Sequence, residues 1–227
     1  GGELAEPVRE VTIASTLPRM LSGLVAVGDD LTPMPMDAAG VTMVIFAFAL
    51  DSDAVLERVA PGLVWLATLF SMLVLVQRSF AIETDDGALD ALRVAGVDPR
   101  AIFLGKASGL AVQLLVLEVV LVFAAVVLYR QTVPLGGLVL LVTTLISATC
   151  GLAAVGTLYG GLAAGFRGRE TLLPLLTLPA VAPVLIGATR AVEAALGTAG
   201  AVGSDGWPWV GLLAVFAVAF GVGGALA

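Results

Sequence analysis

From Gln131 to Phe166 the chain runs for 36 residues without one charged side chain. A helix that crosses the ~30 Å hydrocarbon core of a bilayer needs about 20 mostly apolar residues. Four further stretches have this character. Val59–Gln77 lies between Arg58 and Arg78, and Ala107–Tyr129 carries a single charge, Glu118. Thr171–Thr189 is uncharged but contains Pro174, Pro179 and Pro183, and Gly206–Ala227 completes the series. Composition agrees: 59% of the 227 residues are apolar and 13% charged, against roughly 45–50% and about 25% in soluble domains. A water-soluble or disordered chain is thereby excluded. A net charge of −7 argues against nucleic-acid binding. The absence of histidine removes the commonest metal ligand and any Ser/His/Asp triad.

The sequence therefore predicts an all-α, polytopic membrane helix bundle. Its spans are expected at about 38–50, 59–77, 107–129, 137–163, 171–189 and 207–227. The 36-residue run would measure ~54 Å as one helix, too long for one crossing and too short for two with a turn. It reads as one long span starting near Gly137 and running past the membrane into the Gly160–Gly165 region. Three prolines predict a kinked or broken fifth span, with neighbouring protein or water satisfying the freed backbone groups. The first candidate, Ala38–Leu50, has 13 residues and is short. Residues 1–37 form an atypical N-terminal segment, ahead of a transmembrane domain at 38–227.

Basic residues in short loops set orientation. With the Arg78–Lys106 connection in the cytoplasm, that side holds Arg78, Arg93, Arg100, Lys106, Arg167 and Arg169. The other side holds Arg58, Arg130 and Arg190. Both termini then lie in the cytoplasm. Arg167 and Arg169 read first as topology anchors.

The connection between the second and third spans carries more than a linker needs. Asp85 or Asp86 suits a helix N-cap, Leu89 and Leu92 share one face at i, i+3, and Gly96 followed by Pro99 suits a stop. A short amphipathic helix is expected from about Asp86 to Ala95, as a docking element with Leu89 and Leu92 as anchors.

Phe80-Ala81-Ile82-Glu83, Asp86-Gly87-Ala88-Leu89 and Gly105-Lys106 resemble the CcmB family, the haem exporter B permeases of cytochrome c maturation. Leu69-Phe70-Ser71 ahead of Arg78, and the Leu178–Gly187 run, fit the same pattern. The resemblance covers roughly Val44 to Ala227 and implies a six-span permease of the ABC-exporter type. It further implies a separate ATP-binding subunit, haem-handling membrane subunits and a haem chaperone as partners. Phe80, Glu83, Asp86, Gly87, Leu89 and Leu92 would dock the ATPase. Residues 1–40 depart from the family pattern: Arg9 and Arg19 are their only basic residues, and no basic elbow helix precedes the first span.

Gly105-Lys106 is followed by Ala107 and lacks the Gly spacing of a phosphate-binding G-x-x-x-x-G-K-[ST] loop. ATP chemistry is therefore expected on another chain, and no enzyme activity on this one. The resemblance implies haem as cargo; Cys150, the five Met, Tyr129 and Tyr159 form no spaced ligand pair. No cofactor is expected to bind directly.

Glu118 and Gln113 are the polar candidates of the third span. Glu118 reads as an interhelical hydrogen bond or as a pathway or proton-transfer group, since a charge at the bilayer centre costs about 2.5–3.5 kcal/mol. Gln113 lies roughly 140° around the helix from it, so the pair makes no single stripe. In the fourth span Thr143, Ser147, Cys150, Ala154, Thr157, Gly161 and Ala164 recur at spacings of four and three. Gly156/Gly160 and Gly161/Gly165 add G-x-x-x-G pairs, which predicts close helix packing. The chain is thus expected to be an ATP-coupled permease, with a non-transporting scaffold of a haem-handling complex or a proton-linked carrier using Glu118 as alternatives.

Overall fold

The structure, a computed structural model, describes residues 35–50, 52–85, 94–129, 133–164 and 169–226. Six helices carry these residues: α1 (Pro35–Ala49), α2 (Asp53–Asp85), α3 (Pro99–Leu128), α4 (Leu138–Ala164), α5 (Arg169–Leu196) and α6 (Trp207–Leu226). The described residues contain no strand. Helices α2 to α6 are long and apolar enough to cross a membrane, whereas the apolar part of α1, Ala39–Ala49, is shorter. The polytopic helix bundle read from the sequence is what folds.

Helix ends depart from the apolar windows, for local reasons. A charge ends a hydrophobic stretch but not the i→i−4 hydrogen-bond ladder, so α2 continues outward through Arg58 and Arg78. Asp85, expected as a cap that opens a helix, is instead the last residue of α2. Helix α3 begins at Pro99, eight residues before the expected span. The Asp98 side chain accepts from the Arg100 N–H at 2.9 Å, and Pro tolerates the first helical position because its missing N–H has no partner there. Pro99, read as following a helix stop, thus opens the next helix. Gly96 takes φ 74° beside helical Val94, the left-handed conformation of a helix stop. Residues 86–93, the body of the expected docking helix, lie outside the described residues.

The fifth span, expected to be kinked or broken, is not broken. Helix α5 is assigned as one continuous helix through Pro174, Pro179 and Pro183, from Arg169 to Leu196. Each proline removes one N–H from the ladder. A bilayer offers the chain no water as a competing partner, so the remaining intrahelical bonds hold.

Helix α4 organises the bundle, packing against α2, α3, α5 and α6. Its buried face alternates small and large residues, including Leu141, Ala148, Leu152, Val155 and Gly156. A Cβ on Gly151 would stand 3.1 Å from the Phe216 ring, which stacks on Phe220 with centroids 4.4 Å apart. On Gly156 it would meet Val76 at 2.9 Å and Leu110 at 3.3 Å. Lipid tails are as apolar as Leu, so helices associate by this kind of contact rather than by exclusion of water. Outside, α3 presents Val112, Val116, Val119 and Phe123, and α6 presents Val215, Val218 and Val222, the apolar exterior that lipid requires. Helix α1 is tied in by a hydrogen bond: the Tyr129 hydroxyl, at the end of α3, donates to the Met43 carbonyl at 2.6 Å.

Candidate functional site

Two polar places interrupt this apolar body. The first is Glu118 on α3, fully buried, as are Leu114, Leu117 and Leu121 of the same helix. The Thr149 hydroxyl of α4 donates to Glu118 Oε2 at 2.7 Å and also lies 2.6 Å from the Leu145 carbonyl oxygen. A hydroxyl has one proton and serves one acceptor at a time. Glu118 Oε1 has no hydrogen-bond partner. This is an interhelical contact, a hydroxyl of α4 on a buried acid of α3.

Thr149 was absent from the sequence reading, which followed the row through Thr143 and Ser147. Depth was the signal that could have found it. Glu118 lies about 16 Å along its span from Ala107, and Thr149 about 18 Å along the oppositely running span from Gly137, at 1.5 Å per residue. Both therefore sit near the bilayer midplane.

The second place is a cleft of about 270 Å³ between α2, α3 and α4, lined by Ser79, Phe80, Lys106, Gln113 and Thr157 among others. Lys106 Nζ donates to Ser79 Oγ at 3.4 Å and stands 3.9 Å from the centroid of the Phe80 ring, within cation–π range. Gln113 is exposed and faces this cleft while Glu118 is buried, so the two polar residues of α3 serve different surroundings.

The other candidates are placed as follows. Phe80 is 7% exposed, its ring lying over Gly160, where a Cβ would come within 2.5 Å of Cε2. Its side chain is thus committed within the chain. Glu83 falls in the last turns of α2, whereas Asp86, Gly87, Leu89 and Leu92 lie outside the described residues. Gly156 and Gly160 are buried against α2, Ser147 is half-buried, and Cys150 and Gly161 are exposed. Gly165 and Arg167 lie outside the described residues, and Arg169 opens α5.

The sequence profile of the CcmB protein matches residues 26–225, nearly the whole bundle. The chain belongs to the CcmB family. CcmB relatives include Heme exporter protein B of Rhodobacter capsulatus, 33% identical over 147 residues that make up 64% of this chain and 66% of that one. The protein of the same name from Paracoccus denitrificans is 32% identical over 159 residues, 66% of each chain. That of Haemophilus influenzae is 31% identical over 166 residues, 66% of this chain and 68% of the relative. The matches to the first two span just under two thirds of those relatives' length. No solved structure matches the chain. The CcmB match starts at residue 26, ahead of Val44, where the motif resemblance begins. CcmB membership and five membrane-length helices make this a multi-pass protein of the bacterial inner membrane.

Proposed function

We propose that the chain is the membrane subunit of an ABC-type haem exporter complex in cytochrome c maturation. ATP hydrolysis on a partner subunit would drive haem export, or the release of a haem-loaded chaperone at the outer face. The observation that carries this reading is the CcmB match across the bundle, together with relatives named Heme exporter protein B. The chain supplies a polytopic body and a polar connection between α2 and α3, and the nucleotide chemistry resides on the partner. Mechanically, nucleotide binding would bias two packings of the helices through that connection, a population shift between packed states.

Co-reconstitution with the ATP-hydrolysing subunit, the haem-handling subunits and the chaperone tests it. ATP-dependent appearance of haem across the proteoliposome membrane, or ATP-dependent chaperone release, is expected. Neither occurring with an active ATPase bound would sink the proposal. Chaperone release without haem movement selects the scaffold reading. That reading is favoured by the full burial of Glu118, whose hydrogen bond from Thr149 ties α3 to α4.

A proton-linked role for Glu118 is separable in the same assay. Glu118→Gln keeps an acceptor for Thr149 and removes the titrating group. The variant is expected to fold with a stability change below about 1 kcal/mol and to retain ATP-driven activity. A correctly folded but inactive Glu118→Gln protein would instead install the carrier mechanism.

A further inference from the structure

We propose that α5 is hinged at Pro179 and Pro183, so that its first half, residues 169–178, takes two positions while its second half stays fixed in the bundle. The ladder of an α-helix offers the carbonyls of Leu175 and Pro179 to the N–H groups of residues 179 and 183. Both of those residues are proline, so neither bond exists and each ring crowds the carbonyl it faces. The two gaps lie one turn apart on one side of the helix, and Pro179 and Pro183 are both exposed there. Opening that exposed side relieves the crowding, and it tips the first half of α5 toward the protein rather than toward lipid.

The two halves are held differently. In the second, Val181, Val184, Ala188 and Ala191 are fully buried. A Cβ on Gly187 would touch the Leu213 side chain of α6 at 3.4 Å, and the carbonyl of Ala195 abuts Gly137 ahead of α4. Between residues 171 and 180 only Leu173 and Thr177 are buried, while Leu175, Leu176 and Leu178 are exposed. Few buried contacts mark a segment that moves easily. The side it closes on has space: a gap of about 10 Å³ remains between α2, α4 and α5, lined by Val76, Phe80, Ala163 and Leu173 among others.

Thr177 identifies the second position. It is fully buried, and its hydroxyl has no hydrogen-bond partner. Thr68 and Thr144, equally buried, donate to the carbonyl four residues earlier, Val64 at 2.9 Å and Leu140 at 2.7 Å. The Leu173 carbonyl stands in the same relation to Thr177, and that bond is not made here. A buried hydroxyl without a partner is destabilising, and a threonine bond to the i−4 carbonyl bends the helix that makes it. The bent position of α5 is therefore the one in which Thr177 donates to Leu173. The hinge belongs to this chain alone and stands whether or not the chain exports haem.

Pulsed electron paramagnetic resonance on the full chain in lipid nanodiscs tests it, with Cys150→Ser removing the native thiol. One spin-label pair, Leu175→Cys with Leu104→Cys on α3, reports on the first half. A second pair, Ile186→Cys with Val127→Cys on α3, reports on the second half, and all four positions are exposed. Two distances are expected for the first pair and one for the second. Pro179→Ala combined with Pro183→Ala restores both N–H groups and should leave the first pair with one distance. Thr177→Val keeps the prolines and removes the hydroxyl, so it carries the test where the proline variant fails to fold. It should lower the ratio of bent to straight chains at least about twofold, the worth of one hydrogen bond. A single distance for the first pair with the prolines in place, two distances for the second pair, two distances for the first pair without the prolines, or an unchanged ratio in Thr177→Val would each overturn the hinge.

Discussion

Replacing Gly137 with Ala is expected to destabilise the bundle by about 3 kcal/mol, at the upper end of overpacking penalties. Gly137 is buried in the 3₁₀ turn Leu135–Gly137 that leads into α4, and its N–H donates to the Pro134 carbonyl at 2.9 Å. A Cβ there would overlap the carbonyl oxygen of Ala195, near the end of α5. The obstacle is backbone, and no rotamer change removes it. Either the turn or the last turns of α5 must move, and α4 is the helix on which four others pack. Gly136 is the internal control: a Cβ there meets nothing within 4 Å, so Gly136→Ala should stay within about 0.5 kcal/mol of wild type. Equilibrium unfolding in mixed micelles, followed by the fluorescence of buried Trp65, compares the two. Equal midpoints for both variants would show that α4 and α5 do not approach this closely in the folded protein.

Gly137 also marks what the sequence could and could not disclose. Its position as the start of the long span was legible, because the uncharged run exceeds one crossing. Its contact with Ala195 was not, because nothing along the chain records which backbone will face which. The same division runs through the molecule. Lipid demands long apolar helices, so five of six were readable from charge gaps alone. Their ends were not, since Asp98 and Pro99 start α3 by capping geometry rather than by hydropathy. The three prolines leave α5 unbroken for a related reason: rules for helix breaking come from water, where a freed backbone group has an alternative partner.

The candidate site was legible in its rare residues and not in its partners. Glu118 stands out as the lone charge in its span, whereas Thr149 is one of several hydroxyl residues on α4 and only depth selects it. The small-residue rows gave the right helix and part of its buried face, with Ala154 and Thr157 buried. Gly156 and Gly160 press on α2, but Cys150 and Gly161 of the same family of spacings are exposed. In a span this rich in Gly and Ala, rows at three and four spacing run down every side, and large partners such as Val76 and Phe80 decide which row is buried.

Phe80 and Leu89, grouped together by the family resemblance as docking residues, should separate cleanly on mutation. Phe80→Ala is expected to cost about 2 kcal/mol. Phe→Ala in soluble cores costs about 3–5 kcal/mol, but in a bilayer the lost term is mainly packing. Its effect on affinity for the proposed ATPase subunit should stay within about twofold, a few tenths of a kcal/mol. Leu89→Asp should do the reverse. It places a charge at one of the two apolar anchors expected from the sequence, and a desolvated, unpaired carboxylate at an interface costs about 2–5 kcal/mol. That loss corresponds to more than about 30-fold in affinity, and co-purification of the partner should disappear while membrane insertion persists. A double-mutant cycle fixes the structural half of this argument. The Phe80 ring stands where a Gly160 Cβ would go, so Gly160→Ala should be markedly less harmful in the Phe80→Ala background, with a coupling of about 1 kcal/mol or more. If Phe80→Ala releases the partner and Gly160→Ala costs the same in both backgrounds, the ring works at the docking surface and its place over Gly160 is incidental. If Leu89→Asp leaves the partner bound, the polar connection between α2 and α3 does not grip it, and ATP must reach the helices by another route.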